Sequence, residues 1–122
     1  MTSTAEAEIL HTVLDRWKSA VDAHDPKRVA SYFTDDAIFQ GLHPYGIGPE
    51  SVAEYYDSQP LGMTAAYNIL ETRRMADNLV LGYLHVDFTF TDRPVVTVNL
   101  CVLARRAGDN WLIDHYQVSR LP

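Results

Sequence analysis

Histidines at positions 43 and 115 are the residues of this chain whose chemistry and surroundings best fit proton transfer. His115 lies in the alternating segment WLIDHYQVSR (Trp111 to Arg120), and His43 lies in the glycine-rich segment GLHPYGIGP (Gly41 to Pro49). A histidine in a small-molecule pocket titrates near neutral pH and can act as a general acid or base. We therefore predict that His115 and His43 are catalytic residues that move a proton on a bound substrate.

Other polar and aromatic side chains recur with the period of two that a strand imposes. If the polar faces of the strands line a hollow, these side chains converge there with the loop that carries His43. Such a mixture of aromatic walls and a few placed polar groups is typical of a small-molecule pocket. The residues predicted to contact substrate are Trp17, Phe39, Tyr45, Tyr55, Tyr83, His85, Asn99 and Gln117.

The same strands also have an almost wholly apolar face, so the direction of the polar face is open. Val96, Val98 and Leu100 alternate with Thr97 and Asn99 along one strand. In a half-exposed sheet the apolar face packs on the helices, and the polar face contacts solvent or a second subunit. Our interpretation is that the polar face lines the hollow and that Tyr116 and Val118 contact a second subunit. The alternative is that the apolar face packs on the helices and the polar face points outward.

Sequence patterns for metal and cofactor binding are missing from the chain. The five histidines are scattered, and Cys101 is the single cysteine, so no spacing sets up a tetrahedral metal site. The chain also lacks a P-loop, a dinucleotide-binding glycine motif and a serine-hydrolase elbow. We predict chemistry without metal or cofactor.

Length and composition narrow the class of protein. The 122 residues fit one domain, residues 1–122, and the formal net charge is −6 without a basic stripe, which argues against nucleic acid. No apolar run approaches the length of a membrane helix, and no signal peptide is recognisable. We expect no membrane partner, a cytoplasmic location and a small organic ligand.

Helices are predicted in the first half and strands in the second. Apolar residues from Ile9 to Val21 follow helical spacing, Asp25-Pro26 starts a short second helix, and Pro49 opens a third. Turn-forming residues separate the later β-rich runs, which predicts an antiparallel meander. These runs are Thr64 to Met75, Leu79 to Thr91, Val95 to Arg106 and Trp111 to Ser119.

Two strings carry a resemblance to a known family. AVDAHDPKRVASYFTDDAIFQGLHPYGIGPESVAEYY (Ala20 to Tyr56) resembles the opening of SnoaL-like proteins of the nuclear transport factor 2-like superfamily. GDNWLIDHYQVSRL (Gly108 to Leu121) resembles their last hairpin and strand. The resemblance implies an α+β, cystatin-like cone in which three N-terminal helices pack on a curved antiparallel sheet. It also implies a pocket at the open end and a homodimer through the sheet.

The resemblance does not extend to the reaction of the ketosteroid isomerases, which belong to the same superfamily. Their general-base aspartate falls on Gly41, or on His43 if two residues are inserted, and their helix-one tyrosine falls on Trp17. An indole can donate a hydrogen bond but cannot supply a phenol's proton. We predict a cofactor-independent isomerase, cyclase or dehydratase acting on a small apolar metabolite, or alternatively a non-catalytic ligand-binding or dimerisation module.

Overall fold

A computed structural model describes residues 4–121. Three helices and six strands follow one another along the chain. The helices are α1 (Ala5–Asp22), α2 (Pro26–Ala30) and α3 (Gly48–Asp57). The strands are β1 (Phe33–Gln40), β2 (Gly46–Ile47), β3 (Thr64–Ala76), β4 (Leu79–Thr89), β5 (Val96–Ala107) and β6 (Asn110–Arg120). The predicted α+β order of elements is confirmed, with the short strands β1 and β2 lying between the second and third helices.

The six strands form one sheet in the order β2-β1-β6-β5-β4-β3. Strands β3 to β6 pair with their sequence neighbours as an antiparallel meander, as predicted. The pairing of β1 with β6 is parallel, with Phe39 beside Tyr116. The sheet is therefore mixed at this one pair, and the parallel pair places the end of β1 next to the middle of the last strand.

Helix α1 packs its apolar stripe against the concave side of the sheet. The Thr4 side chain accepts a hydrogen bond from the Ala7 backbone N–H, which caps the first turn. Leu10 sits directly over Gly82 of β4, where an added β-carbon would lie 2.8 Å from a Leu10 methyl. Glycine at this position lets the helix approach the strand closely.

Polar contacts fasten α1 to the edge strand β3. Asp22 Oδ1 accepts from the Ala65 backbone N–H at 2.9 Å, and the Tyr67 hydroxyl donates to Asp15 at 2.5 Å. His11 Nδ1 lies 2.8 Å from the same hydroxyl. Burial raises the pKa of Tyr67, and the bond to the Asp15 carboxylate raises it further. The first helix is thus held in place by hydrogen bonds as well as by apolar packing.

The apolar faces of the strands point inward, toward the helices. Val80, Leu84 and Val86 of β4 are fully buried, as are Val98 and Leu100 of β5. The polar residues that alternate with them are half-buried or exposed on the convex face. The interpretation that pointed the polar faces inward is therefore wrong, and the alternative, with the apolar faces against the helices, is correct. Burial of the polar faces under the helices would leave their hydrogen-bonding groups unpaired.

A β-bulge in β6 changes which residues share a face. Leu103 of β5 pairs with His115, but the next residue, Ala104, pairs with Ile113, so one residue of β6 is extra. Ile113 and Tyr116 are both buried, whereas a regular strand would place them on opposite faces. Strict alternation along the segment Trp111 to Arg120 would put Ile113 and His115 on one face, and the bulge separates them.

No helix within residues 4–121 combines the length and the apolar character needed to cross a membrane.

Candidate functional site

An apolar cavity lies between α3, the segment after it and the concave side of the sheet. Its volume is about 50 Å³. Strands β4, β5 and β6, with the segments that flank them, form one wall, and α3 contributes Tyr55 and Tyr56 to the other. The lining residues are Leu42, Tyr55, Tyr56, Gln59, Met63, Phe88, Phe90, Val96, Val98, Tyr116 and Val118. The wall is hydrophobic apart from three phenols and one amide, which suits an apolar molecule with few polar groups.

A chain of hydrogen bonds runs through the wall of this cavity. The Trp17 indole N–H donates to the Tyr56 hydroxyl at 3.1 Å, and the Tyr56 hydroxyl donates to the Tyr116 hydroxyl at 3.3 Å. All three side chains are buried. The buried indole and Tyr56 hydroxyl groups thus find partners within the core, as buried polar groups require.

The hydrogen-bond chain from Trp17 through Tyr56 to Tyr116 leaves one phenol hydrogen without a protein acceptor. Two phenols share a single O···O contact, and an indole N–H can only donate. Tyr116 makes no further side-chain hydrogen bond to residues 4–121. Because both phenols line the cavity, the remaining hydrogen is available to an acceptor placed there.

The two phenols remain protonated far into the alkaline range. Burial raises the pKa of Tyr56 and also that of Tyr116 above the ordinary value of 10.0. The Tyr56 phenol raises the pKa of Tyr116 further, since two neighbouring phenolates would repel, whereas the hydrogen bond to Tyr116 lowers the pKa of Tyr56 by less than burial raises it. The pair therefore acts as a hydrogen-bond donor, and neither phenol is a base near neutral pH.

Aromatic packing fixes the position of Tyr116. Its ring stacks on Phe39 with centroids 4.6 Å apart and an interplanar angle of 23°. Phe33 and Trp17 contact it from other sides, with centroid distances of 6.0 and 6.1 Å. A donor held this firmly loses little freedom when a ligand binds.

A second hollow, more open to solvent, lies beside the first. It occupies about 330 Å³. The side-chain amide of Gln40 holds the adjoining loop by donating to the carbonyls of Gly41, at 2.9 Å, and His43. The residues around this outer hollow are Phe39, His43, Pro44, Tyr45, Gly46, Ser51, Glu54, Tyr55 and Ser58. His43, Tyr45 and Phe39 therefore lie together around this outer hollow, outside the apolar cavity.

Five predicted site residues lie on the convex face of the sheet, and their predicted convergence with His43 is wrong. His115 Nε2 is 3.1 Å from Gln117 Oε1, and Asn99 donates to the Tyr83 hydroxyl at 3.3 Å. His85 Nε2 lies 3.2 Å from a carboxylate oxygen of Asp87 on the same strand. The sheet separates all of them from the cavity, because the interior requires the apolar faces. Any role of theirs in catalysis or binding stays a prediction.

The remaining predicted residues divide between core and cavity wall. Trp17 is fully buried behind Tyr56, and Phe39 is buried beneath Tyr55. Tyr55 lines both the apolar cavity and the outer hollow. Sequence reasoning missed Tyr56 and Tyr116, although the alternation of apolar residues indicated where a cavity-facing phenol would lie once the inward face was known.

Metal binding has no evident site in the part of the chain that is described. Across residues 4–121, His, Cys, Asp and Glu side chains form no group of three or more that could hold an ion. Cys101 is half-buried on the convex face, and burial raises the pKa of its thiol. Its environment therefore disfavours the reactive thiolate.

Comparison of the structure with solved structures identifies the fold. A protein described as a candidate calcium/calmodulin dependent protein kinase II association domain, from Xanthomonas campestris, is 18% identical with a TM-score of 0.87, covering 98% of this chain and 90% of its own. A ketosteroid isomerase-like protein from Erwinia carotovora is 20% identical with a TM-score of 0.82, covering 98% and 99%. An NTF-2 like protein of unknown function from Shewanella oneidensis is 14% identical with a TM-score of 0.79, covering 92% and 97%.

No family model matches the sequence, and the search of curated proteins found no match. The likeness to solved structures confirms the predicted cystatin-like α+β cone, and it confirms the resemblance to nuclear transport factor 2-like proteins as one of fold. Neighbours with this fold are described with different activities, so the fold does not select among them.

Proposed function

We propose that this protein binds a small, mostly apolar organic molecule with one hydrogen-bond acceptor, such as a ketone oxygen. The free phenol hydrogen at the end of the Trp17–Tyr56–Tyr116 chain carries this proposal. A carbonyl oxygen in the cavity would accept it, while the apolar walls would contact the rest of the molecule. The ligand would satisfy a buried donor and at the same time bury its own apolar surface.

The cavity supports ligand binding better than it supports catalysis in which the predicted histidines transfer a proton. None of the lining residues is a histidine, aspartate or glutamate, so the cavity itself holds no general base. The phenols could polarise a bound carbonyl and stabilise negative charge that develops on its oxygen. An isomerase, cyclase or dehydratase would need a base from elsewhere, and His43 in the outer hollow, with its ring centroid 5.9 Å from that of Tyr55, is the predicted residue that would supply it.

The first test is the binding of 2-acetylnaphthalene, an apolar ketone, followed by fluorescence. We expect Tyr116→Phe, which removes the hydroxyl and keeps the ring, to weaken binding about fivefold to tenfold. Binding of naphthalene, which has no acceptor, should not change in this variant. Tyr83→Phe is the matched control, since Tyr83 lies on the convex face. Equal affinity for the ketone in wild type and Tyr116→Phe would contradict the proposal.

A second candidate function is self-association through the convex face. A row of paired residues crosses the strands there with apolar side chains at four of its five positions, and Ile38 and Ile47 are 42% and 51% exposed. We call this row the convex band; it consists of Ile47, Ile38, His115, Leu103 and Leu81. An exposed, mostly apolar band on a sheet is typical of a subunit interface. One solved neighbour is described as an association domain, which also favours this candidate.

Leu103→Glu tests the convex band, because it places a charge within the row, beside His115. We expect the variant to sediment as a monomer at concentrations where the wild type is a homodimer. Leu61→Glu is the control, since Leu61 is 74% exposed in a loop outside the band. If the two variants sediment alike, the convex band is not the interface.

A further inference from the structure

Tyr55 stands between the apolar cavity and the outer hollow and is common to the lining of both. Its ring is half-buried. On the inner side it meets Tyr56 edge-on, with centroids 5.1 Å apart, and on the outer side the His43 ring centroid lies 5.9 Å away. The Tyr55 ring alone therefore forms the partition between the apolar cavity and the outer hollow.

The partition is held by weak and separable contacts. Its ring lies over Gly41, where an added β-carbon would be 2.8 Å from the ring, and it packs edge-on against Phe39 at 4.9 Å. The hydroxyl accepts a hydrogen bond from the Leu42 backbone N–H. A single hydrogen bond and edge-on or tilted ring contacts can break when a side chain changes rotamer.

The apolar cavity is too small for the ligand that its walls suit. It measures about 50 Å³, whereas a cavity that binds benzene measures about 150 Å³. The outer hollow adds about 330 Å³ directly behind the Tyr55 ring. Turning this one ring would join the two spaces without moving the backbone of the sheet.

The joined space would be polar at one end and apolar at the other. The outer end carries the His43 imidazole, the Glu54 carboxylate and the hydroxyls of Tyr45, Ser51 and Ser58. The inner end carries the free phenol hydrogen. A ligand spanning both would have an acceptor at its buried end and a hydroxyl or similar polar group at its outer end.

We propose that the Tyr55 side chain is a gate, which we call the door, and that its rotation joins the apolar cavity to the outer hollow. The ligand is then an elongated molecule with a carbonyl at one end and a hydroxyl at the other. This inference rests on the proposed function of the apolar cavity. The carbonyl binds at Tyr116, the apolar body occupies the place of the Tyr55 ring, and the hydroxyl hydrogen-bonds in the outer hollow beside His43.

The door is tested by the association rate of 2-acetylnaphthalene, measured by stopped-flow fluorescence. Tyr55→Phe removes the bond to Leu42 and should raise the association rate about fivefold. Tyr55→Ala removes the ring and should raise it by about tenfold or more. Tyr32→Phe, a half-buried tyrosine outside both spaces, should leave the rate unchanged. A purely structural role for Tyr55 would alter stability and leave the rate within twofold of wild type, which would overturn the door.

The ligand class is tested by comparing 2-acetylnaphthalene with 6-hydroxy-2-acetylnaphthalene, which has a hydroxyl at the far end. We expect the hydroxylated ketone to bind more tightly to wild type, and His43→Ala to weaken it about fivefold without affecting the parent ketone. Equal effects of His43→Ala on both ketones would overturn the assignment of the outer hollow.

The binding and rate measurements together distinguish a failure of the door from a failure of the proposed function. Ketone binding that depends on Tyr116 but is insensitive to Tyr55→Phe and Tyr55→Ala would overturn the door and leave the cavity's function standing. Absence of binding in wild type together with binding in Tyr55→Ala would support a door that stays closed to this probe. Absence of binding in both would overturn the door and the proposed function together.

Discussion

Replacing Trp17 by alanine is expected to lower the free energy of unfolding by about 3–5 kcal/mol. Trp17 is fully buried in α1 and packs edge-on against Phe88 with centroids 6.2 Å apart. Its removal would leave a large void, and it would also remove the N–H that donates to Tyr56. Since a typical domain is stable by about 5–15 kcal/mol, much of the stability would be lost. Urea denaturation followed by circular dichroism measures the change.

The other tryptophan provides the matched control. Trp111 is half-buried near the guanidinium groups of Arg74 and Arg106, which lie 6.0 and 5.8 Å from the centroid of its ring. Trp111→Ala removes the same side chain from the margin of the core, so we expect a loss of about 1 kcal/mol. Comparable losses for the two variants would contradict the placement of Trp17 at the centre of the core.

Stability should also fall steeply as the pH rises above about 10. Burial raises the pKa of Tyr56 and Tyr116 above 10.0, and of Tyr55 and Tyr67 as well. A raised folded-state pKa gives stability that is fully present below the unfolded value of 10.0 and is lost as the pH rises through the folded value. Each fully buried phenol should remove roughly 1.4 kcal/mol per pH unit in that range.

Two measurements check the alkaline transition. Urea denaturation at a series of alkaline pH values should show the declining free energy of unfolding, with a smaller slope in Tyr116→Phe. The near-ultraviolet absorbance of phenolate should stay below that of the urea-unfolded chain, which exposes all seven tyrosines, until the protein unfolds. Equal phenolate absorbance in both forms at every alkaline pH would show that these phenols are not buried.

Helix and strand positions were largely predictable because local spacing determines them. The apolar residues of α1 recur on one helical stripe, and all six that are buried were placed there by the sequence pattern. Asp25 before Pro26 starts α2, where its carboxylate accepts from the Arg28 backbone N–H at 3.3 Å. The parallel pairing of β1 with β6 was not predictable in this way, since it joins segments about eighty residues apart.

The candidate site was predictable only in part, because it depends on the direction of one sheet face. Alternation established that Tyr83 and His85 share a face, and it established equally that Val80 and Leu84 share the other. Nothing in that pattern states which face meets the helices. Apolar burial decides it, and this moved His115, His85 and Asn99 to the convex side and left the cavity to the phenols.

The sequence by itself determined the α+β architecture, the four-stranded meander and the loop that carries His43, since each follows from short-range spacing and turn-forming residues. The tertiary structure alone decided that Tyr116 faces inward, where it pairs with the buried Val102, and that a bulge in β6 turns Ile113 inward as well. It also decided that Tyr56 of α3 and Tyr116 of β6 meet. The physical reason is that a hydrogen bond between residues sixty positions apart arises only when packing of the whole core brings their elements together.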